Sequence, residues 1–255
     1  MANNWYGVYT IIKREIKRTI KIVNQVVWPP IISTLLYAFV FGISLGSRIK
    51  DIDGVPYLEF LIPGLIIMSV IDNSYGEGSA SLFIAKFMNS VQEMLVAPLS
   101  SLEIVLGYLA GSVIRGVLIG NLIFLISYFV LGVTIKSIFL YFLAMILVSL
   151  IFSSIGLMVA LWAETFDHLA ILSTFFITPL VFFGGIFHSV SLLPENLQRL
   201  SMYNPLFYMI DVFRYSMTGH SDGSIALGLG VILGLAVIAF ALALRMFGKG
   251  KYLRG

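Results

Sequence analysis

The chain has no cysteine among its 255 residues, which excludes disulfide bonds and thiolate metal sites. Charged residues are also scarce: they make up 11% of the sequence, whereas soluble domains average roughly 25%. Hydrophobic residues make up 59%, and the mean hydropathy is +0.98. This composition predicts an integral membrane protein with little material outside the bilayer. The net charge of +3 therefore indicates membrane topology and not nucleic-acid binding.

The sequence also lacks the motifs of several enzyme classes. It has no G-x-x-x-x-G-K-[ST] loop for nucleotide phosphates, no H-E-x-x-H motif and no other ligand cluster for a metal. Residues 42–46 match the G-x-S-x-G nucleophile elbow, but they lie at the end of an apolar run, where a small-residue packing pair is favoured. An intramembrane protease would also need a histidine on a partner span. The three histidines lie in loops or at span ends, so no catalytic site is predicted.

Six apolar runs are long enough to cross roughly 30 Å of hydrocarbon. They cover residues 26–45, 58–75, 104–131, 138–162, 169–187 and 225–247. The first run is too long for a signal-peptide core and has no small-residue cleavage site, which favours a retained span. The expected fold is an all-α polytopic membrane protein with one transmembrane domain over residues 1–255.

The basic residues indicate the orientation. Ten of the sixteen lysines and arginines lie near the two chain ends or in the loop after span two. By the positive-inside rule, both termini and this loop are expected in the cytoplasm. Residues 1–25 are predicted to form an amphipathic helix in the inner interface, with its apolar face in the membrane and its cations near anionic lipid. These cations are Lys13, Arg14, Lys17, Arg18 and Lys21.

Residues 82–98 form the second amphipathic segment, between spans two and three. Apolar residues recur at helical spacing, and Pro98 ends the segment. A cytoplasmic loop that keeps an apolar face is expected to lie on the bilayer surface or on another protein. The residues assigned to that contact are Phe83, Lys86, Phe87, Met88, Val91, Glu93, Met94 and Leu95.

The connection 188–222, on the opposite side, is predicted to form two short helices in a re-entrant or interfacial hairpin. Pro194 and Pro205 mark the starts of these helices. Asp211 and Arg214 are spaced three residues apart, which predicts an ion pair within the second helix.

Ionisable residues within the spans are few, and two interpretations are open. In the first, Arg115 pairs with Asp72 or Glu77, or the side chains extend to the inner membrane interface. In the second, these residues form a proton or ion relay. Two aromatic residues of span five, Phe176 and Phe183, either line an apolar conduit or face lipid and neighbouring helices.

Four glycines of span three form two G-x-x-x-G pairs, at 107/111 and 116/120. The pairs point about 180° apart, because residues on a helix advance by about 100° each. Span three is therefore expected to pack on two neighbours, or on one neighbour and a second subunit.

Taken together, the ordered fragments of this sequence resemble the permease subunits of type-2 ABC exporters, most closely their bacterial YadH-like branch. The resemblance runs along nearly the whole chain. The matching fragments are Tyr57, Phe60, Pro63-Gly64-Leu65, Met68 and Ser69 in span two; Ala85-Lys86-Phe87, Glu93 and Leu95-Val96-Ala97-Pro98 in the following segment; Gly107-Tyr108, Gly111 and Arg115-Gly116 in span three; Thr165-Phe166-Asp167 in the next turn; and Thr178-Pro179-Leu180, Gly184-Gly185, Leu193-Pro194, Asn204-Pro205, Tyr208-Met209-Ile210 and Phe213-Arg214-Tyr215 around span five and the hairpin.

This resemblance implies a multi-pass permease of the bacterial inner membrane. Such a permease associates with a second copy of itself and with two copies of a cytoplasmic ABC ATPase. ATP and magnesium are expected on that ATPase, and no cofactor is expected in this chain. The first amphipathic helix and the segment 82–98, which acts as a coupling helix, would contact the ATPase. Lipid, amphiphilic, drug-like or glycan substrates are expected to move outward.

The residues leave one alternative for transport: a stand-alone secondary transporter or channel. Such proteins carry chains of intramembrane charges or inverted repeats, and the sequence contains no second copy of the span-two pattern. The sequence alone favours the ATP-driven permease.

Overall fold

The structure is a computed structural model that describes residues 4–44, 46, 51–52 and 54–249, without the side chains of residues 43, 93 and 95. Six helices are long and apolar enough to cross a membrane, which confirms the predicted all-α polytopic fold. The helices are α1 (Trp5–Lys21), α2 (Val23–Ser44), α3 (Tyr57–Phe87), α4 (Ser90–Val96), α5 (Ser101–Leu131), α6 (Ile138–Trp162), α7 (Phe166–Leu172), α8 (Thr178–Phe183), α9 (Glu195–Met202), α10 (Pro205–Thr218) and α11 (Ile225–Gly248). A two-stranded antiparallel hairpin, β1 (Asp51–Ile52) and β2 (Val55–Pro56), precedes α3.

Helix α3 forms the centre of the bundle, and most of its side chains are buried. It packs against α5 and α6, and its first turns also contact α10. Helix α3 is longer than the predicted second span, 58–75, because it continues to Phe87. The apolar run ends at the small residues that follow Tyr75, but these residues let α6 approach closely. A Cβ atom on Gly78 would lie 2.6 Å from the carbonyl oxygen of Ser153.

Helix α5 uses its two glycine pairs on two opposite sides, as the 180° spacing predicts. Gly107 and Gly111 face α1: a Cβ atom on Gly111 would lie 2.5 Å from the Cβ atom of Glu15. Gly116 and Gly120 face α3 and α6, where a Cβ atom on Gly120 would lie 2.6 Å from Val70. Helix α1 is therefore seated directly on the first turns of α5.

The fifth span is interrupted. Helix α7 passes into a π-helical turn at Ser173–Ile177 and then into α8. Pro179 explains this change, because a proline cannot donate a backbone hydrogen bond to the preceding turn. Within the span Phe166–Phe183, the described side chains are mostly exposed.

We call the end of the bundle that carries α1 and α4 the α1 end, and the end that carries α9 and α10 the α10 end. A large apolar cluster fills the α10 end and the centre. A smaller cluster fills the α1 end and joins α1, α3, α4, α5, α6 and α11. Each end therefore has its own packed core.

The two predicted helices of the hairpin 188–222 are present as α9 and α10, but the predicted Asp211–Arg214 ion pair is wrong. Arg214 is fully buried and donates to the carbonyl oxygens of Phe60 and Gly185, at 3.2 and 2.6 Å. Asp211 accepts hydrogen bonds from the backbone N–H groups of residues 222 and 223, at 2.8 and 3.1 Å. Both side chains tie α10 to other segments, since each satisfies backbone groups of another part of the chain.

Candidate functional site

The segment 82–98 is not one helix, so the predicted boundaries are wrong. Helix α3 continues through its first part and ends at Phe87, and α4 begins at Ser90. Asn89 separates them with φ of 57°, a left-handed conformation that asparagine tolerates better than most residues. The apolar periodicity runs across this break, which is why it suggested a single helix.

Four of the predicted contact residues are directed into the protein. Phe83 and Val91 are buried, and the ring of Phe83 packs edge-on against Phe166 at 4.8 Å. The sulfur of Met94 lies 3.6 Å from both Nη1 of Arg14 and the hydroxyl of Tyr108. The contacts of Met94 hold α4 against α1 and α5.

Lys86, the fourth, makes a contact that the sequence did not indicate. Its ammonium group donates to the carbonyl oxygens of residues 160, 161 and 163, at 3.0, 2.7 and 3.3 Å. These carbonyls belong to the carboxyl end of α6, where helix geometry leaves acceptors without partners and concentrates negative charge. Lys86 therefore ties the end of α3 to the end of α6.

Two predicted contact residues do face outward. Phe87 and Met88 are 70% and 71% exposed. The ring of Phe87 lies 5.7 Å from the ring of Phe166, which is also exposed. We call Phe87, Met88 and Phe166 the apolar patch. The side chains of Glu93 and Leu95 lie outside the described residues.

A groove of about 430 Å³ opens at the same end, between α1 and the residues that follow Met94. Its lining is mainly apolar and includes Tyr6, Gly7, Ala97 and Leu99. The backbone around the groove is fixed, because Glu103 accepts from the backbone N–H of Asn4 at 2.5 Å while it caps α5. The α1 end therefore has two apolar features: the groove, which is a recess, and the apolar patch, which is a surface.

Helix α1 packs on the rest of the protein through one side, a contact that the sequence analysis did not predict. Its buried residues are Val8, Ile11 and Glu15, which recur at helical spacing along one side. Trp5 and Tyr9, which belong to the predicted apolar face, are exposed. Lys13, Lys17 and Lys21 are also exposed. The predicted contact of α1 with the membrane interface remains a prediction.

Arg14 and Arg18 of α1 point toward the bundle and not toward solvent or lipid alone. Glu15 is only 2% exposed and accepts from Arg14 at 2.7 Å and from Arg18 at 3.0 Å. The hydroxyl of Ser81 on α3 also donates to Glu15, at 2.5 Å. Buried charges are costly unless they are paired and hydrogen-bonded, and Glu15 satisfies both conditions.

Glu77 on α3 joins the same network. Its carboxylate accepts from Arg18 at 2.6 Å and forms a second ion pair with Arg115 on α5. This confirms the Arg115–Glu77 alternative among the predicted pairings. We call Arg14, Glu15, Arg18, Glu77 and Arg115 the charge cluster. It connects α1 to spans two and three through three guanidinium groups and two carboxylates.

Asp72, the third predicted intramembrane charge, lies elsewhere. It is exposed on the side of α3 that faces α2, and it has no hydrogen bond or ion pair among the described residues. A small cavity of about 110 Å³ lies beside it, lined by α2 and α3. The structure therefore separates Asp72 from the charge cluster.

The two aromatic residues of span five differ in their surroundings. Phe176 lies in the π-helical turn and is exposed, whereas Phe183 is half-buried at the end of α8. Neither lines the groove beside α1 or the cavity beside Asp72. Their assignment to a conduit remains a prediction.

The chain is similar over its length to known transport proteins. Residues 6–218 match the family described as ABC-2 type transporter. Inner membrane transport permease YadH of Escherichia coli (strain K12) is 38% identical over 250 residues, which are 98% of this chain and 98% of that protein. Nodulation protein J of Rhizobium leguminosarum bv. viciae is 30% identical over 81% of this chain and 80% of its own length. Nodulation protein J of Rhizobium meliloti (strain 1021) is 28% identical over 94% and 91%.

These likenesses agree with the six apolar helices and with the order of the sequence fragments. The family match covers all but the last of the six spans, and the permease of Escherichia coli extends the similarity along the whole chain. The chain therefore belongs to the ABC-2 type transporter family, as a multi-pass transport permease subunit of the inner membrane.

Proposed function

We propose that this permease is the membrane half of an ATP-driven exporter, and that its α1 end docks a separate cytoplasmic ATPase. Family membership implies an ATPase partner. The observation that carries the docking site is the apolar patch, where Phe87 and Met88 are mostly exposed at the end of a span. Large aromatic residues and methionine are typical anchors of a protein contact.

The apolar patch has a rigid base, which supports a role in transmitting force. Lys86 fixes the preceding turn to α6, and Phe83 fixes it to Phe166. A partner that pushes on Phe87 would therefore move α3 and α6 together. The groove beside α1 offers the ATPase a second contact, and the charge cluster passes motion of α1 to α3 and α5.

This assignment places the α1 end in the cytoplasm, as the distribution of lysine and arginine predicts. ATP and magnesium would bind to the ATPase, of which two copies would serve two copies of the permease. The substrate would be an amphiphilic, lipid, drug-like or glycan molecule that moves outward. Lipids would contact the exposed apolar sides of the spans, where the described part of the chain leaves many large side chains uncovered.

The docking experiment compares two exposed aromatic positions at opposite ends of the bundle. Phe87→Glu should abolish the magnesium-dependent ATPase activity that copurifies with the full-length permease, since it places a charge in the apolar contact. Tyr203→Glu, an exposed position beside α9, should leave that activity unchanged. Transport by the purified permease in the absence of any ATPase would overturn the proposal and favour a secondary transporter or channel.

Orientation can be tested separately, because the natural chain has no cysteine to remove. Lys17→Cys at the α1 end should be protected from a membrane-impermeant maleimide in intact cells, whereas Tyr203→Cys at the α10 end should be labelled. Labelling of both positions only after membrane disruption, or the reverse pattern, would contradict the proposed topology.

A further inference from the structure

The carboxylate of Asp72 lies beside a small cavity, in an unusual position for a group without a partner among the described residues. Asp72 is the central residue of α3 (Tyr57–Phe87), about 22 Å from either end at 1.5 Å per residue. A charge at this depth is costly, and such residues normally pair or mark a substrate or ion pathway. Asp72 is unpaired within the part of the chain that the structure describes, so its position calls for a ligand.

The cavity walls carry further polar groups besides Asp72. Two faces meet there: one from α2, which includes Thr34 and Tyr37, and one from α3, which includes Ser69, Asp72 and Asn73. Some of these groups satisfy each other. The hydroxyls of Thr34 and Ser69 lie 3.3 Å apart, and the amide of Asn73 donates to the carbonyl oxygen of Ser69 at 2.9 Å. No described residue satisfies the Asp72 carboxylate, and the cavity opens beside it.

The lining indicates the charge and size of the ligand. One carboxylate gives the cavity a net negative charge, and the aromatic ring of Tyr37 adds a surface that attracts cations. The rings of Phe41 and Phe187, at 6.2 and 6.0 Å, hold the ring of Tyr37 in place. A calcium ion needs six to eight oxygen ligands, which a single carboxylate and a few hydroxyls do not supply. An organic ammonium group, in contrast, matches a carboxylate beside an aromatic ring.

The cavity is large enough for only part of a drug-sized ligand. Its volume of about 110 Å³ is well below the roughly 300 Å³ of a pocket that encloses a drug-sized molecule. A head group fits inside, and a hydrocarbon tail would leave the cavity on the exposed side of Asp72, along the apolar residues of α2 and α3.

We infer that the Asp72 cavity binds the ammonium head group of a cationic amphiphile. The carboxylate neutralises the charge, the ring of Tyr37 covers one side, and the tail lies in the membrane. This inference deepens the proposed function, because a molecule held there would be a transported one. Its test measures binding to the permease alone, so its failure is separate from a failure of ATPase docking.

Equilibrium dialysis of radiolabelled hexyltrimethylammonium against the purified full-length permease in a non-ionic maltoside detergent tests the site. Asp72→Asn keeps the shape of the side chain and should weaken binding by about tenfold or more, since it removes a charged partner. Asp72→Glu should stay within a few-fold of the unchanged protein. Glu59→Gln removes an exposed carboxylate from the same helix, away from the cavity, and should have no effect.

Competition defines the chemical class. Unlabelled hexyltrimethylammonium should displace the probe, and the neutral analogue 1-hexanol should displace it at least tenfold less effectively. Equal competition by the two, or unchanged binding to Asp72→Asn, would overturn the inference. A changed oligomeric state of Asp72→Asn with intact binding would also overturn it, because the carboxylate would then belong to a subunit contact.

Discussion

Glu77 and Asp72 lie five residues apart on the same helix, and their surroundings are opposite. The Glu77 carboxylate is buried between two arginines from different helices. The Asp72 carboxylate is exposed beside a small cavity and has no partner among the described residues. Five residues turn the helix by about 140°, so the two side chains face different neighbours. A carboxylate within a span is therefore structural or available for a ligand according to the side of the helix it occupies.

The largest expected effect follows from removing the charge of Glu77. Glu77→Gln leaves Arg18 and Arg115 without their shared counter-ion and should lower the free energy of unfolding by about 3–5 kcal/mol. Unfolding in mixed micelles, followed by tryptophan fluorescence, measures this change. Glu59→Gln serves as the control, because Glu59 is exposed on the same helix. Equal stability of the two variants would remove the distinction between the two kinds of carboxylate.

A substitution of Lys86 tests whether another polar group near the α1 end of α3 also has a structural role. Lys86→Met keeps the length of the side chain but removes three donors from the end of α6. The expected loss is about 1.5–3 kcal/mol in the same unfolding measurement, the range for hydrogen bonds to charged groups. Lys17→Met, at an exposed position of α1, should change stability by much less. An equal loss in both variants would mean that Lys86 acts only through the overall charge.

A double-mutant cycle sharpens the description of the charge cluster. Arg115→Gln should cost less in a protein that already carries Glu77→Gln, because the ion pair is then already lost. We expect a coupling of about 0.5–3 kcal/mol between the two positions. Glu59→Gln combined with Arg115→Gln should give additive effects. Additivity in both cycles would show that the Arg115–Glu77 contact contributes no energy of its own.

Asp72 should give the smallest effect on stability. Asp72→Asn breaks no contact between described residues, so the free energy of unfolding should stay within about 0.5 kcal/mol of the unchanged protein. A loss as large as that of Glu77→Gln would show that Asp72 has a structural partner, and the contrast between the two carboxylates would fail.

Much of the fold could be predicted from the sequence, because long apolar runs and helix-start prolines are local signals. The six spans, the two helices after span five and the opposite-facing glycine pairs of α5 were all predicted on this basis. The end of α3 is not predictable from the apolar run. The helix continues through small residues that pack on α6 but do not form a hydrophobic run.

The contacts at the α1 end were harder to predict, because they join residues far apart in the sequence. Lys86 bonds to carbonyls 74 to 77 residues later, and no local pattern indicates such a partner. Two local signals did exist. Glu15 continues the Val8–Ile11 stripe, and an acid on an apolar stripe indicates a buried pair. Asn89 is a residue that often ends helices, and it divides the apparent coupling helix.

The charge cluster also sets an order of events during synthesis. Arg18 precedes its partner Glu77 by 59 residues, and Arg115 follows 38 residues after Glu77. At roughly 5–20 residues per second, the ribosome adds Glu77 about 3–12 s after Arg18. Helix α1 can therefore complete its contacts with the charge cluster only after spans two and three have been synthesised. We expect the exposed aromatic side chains of α1 to hold it at the lipid surface during this delay.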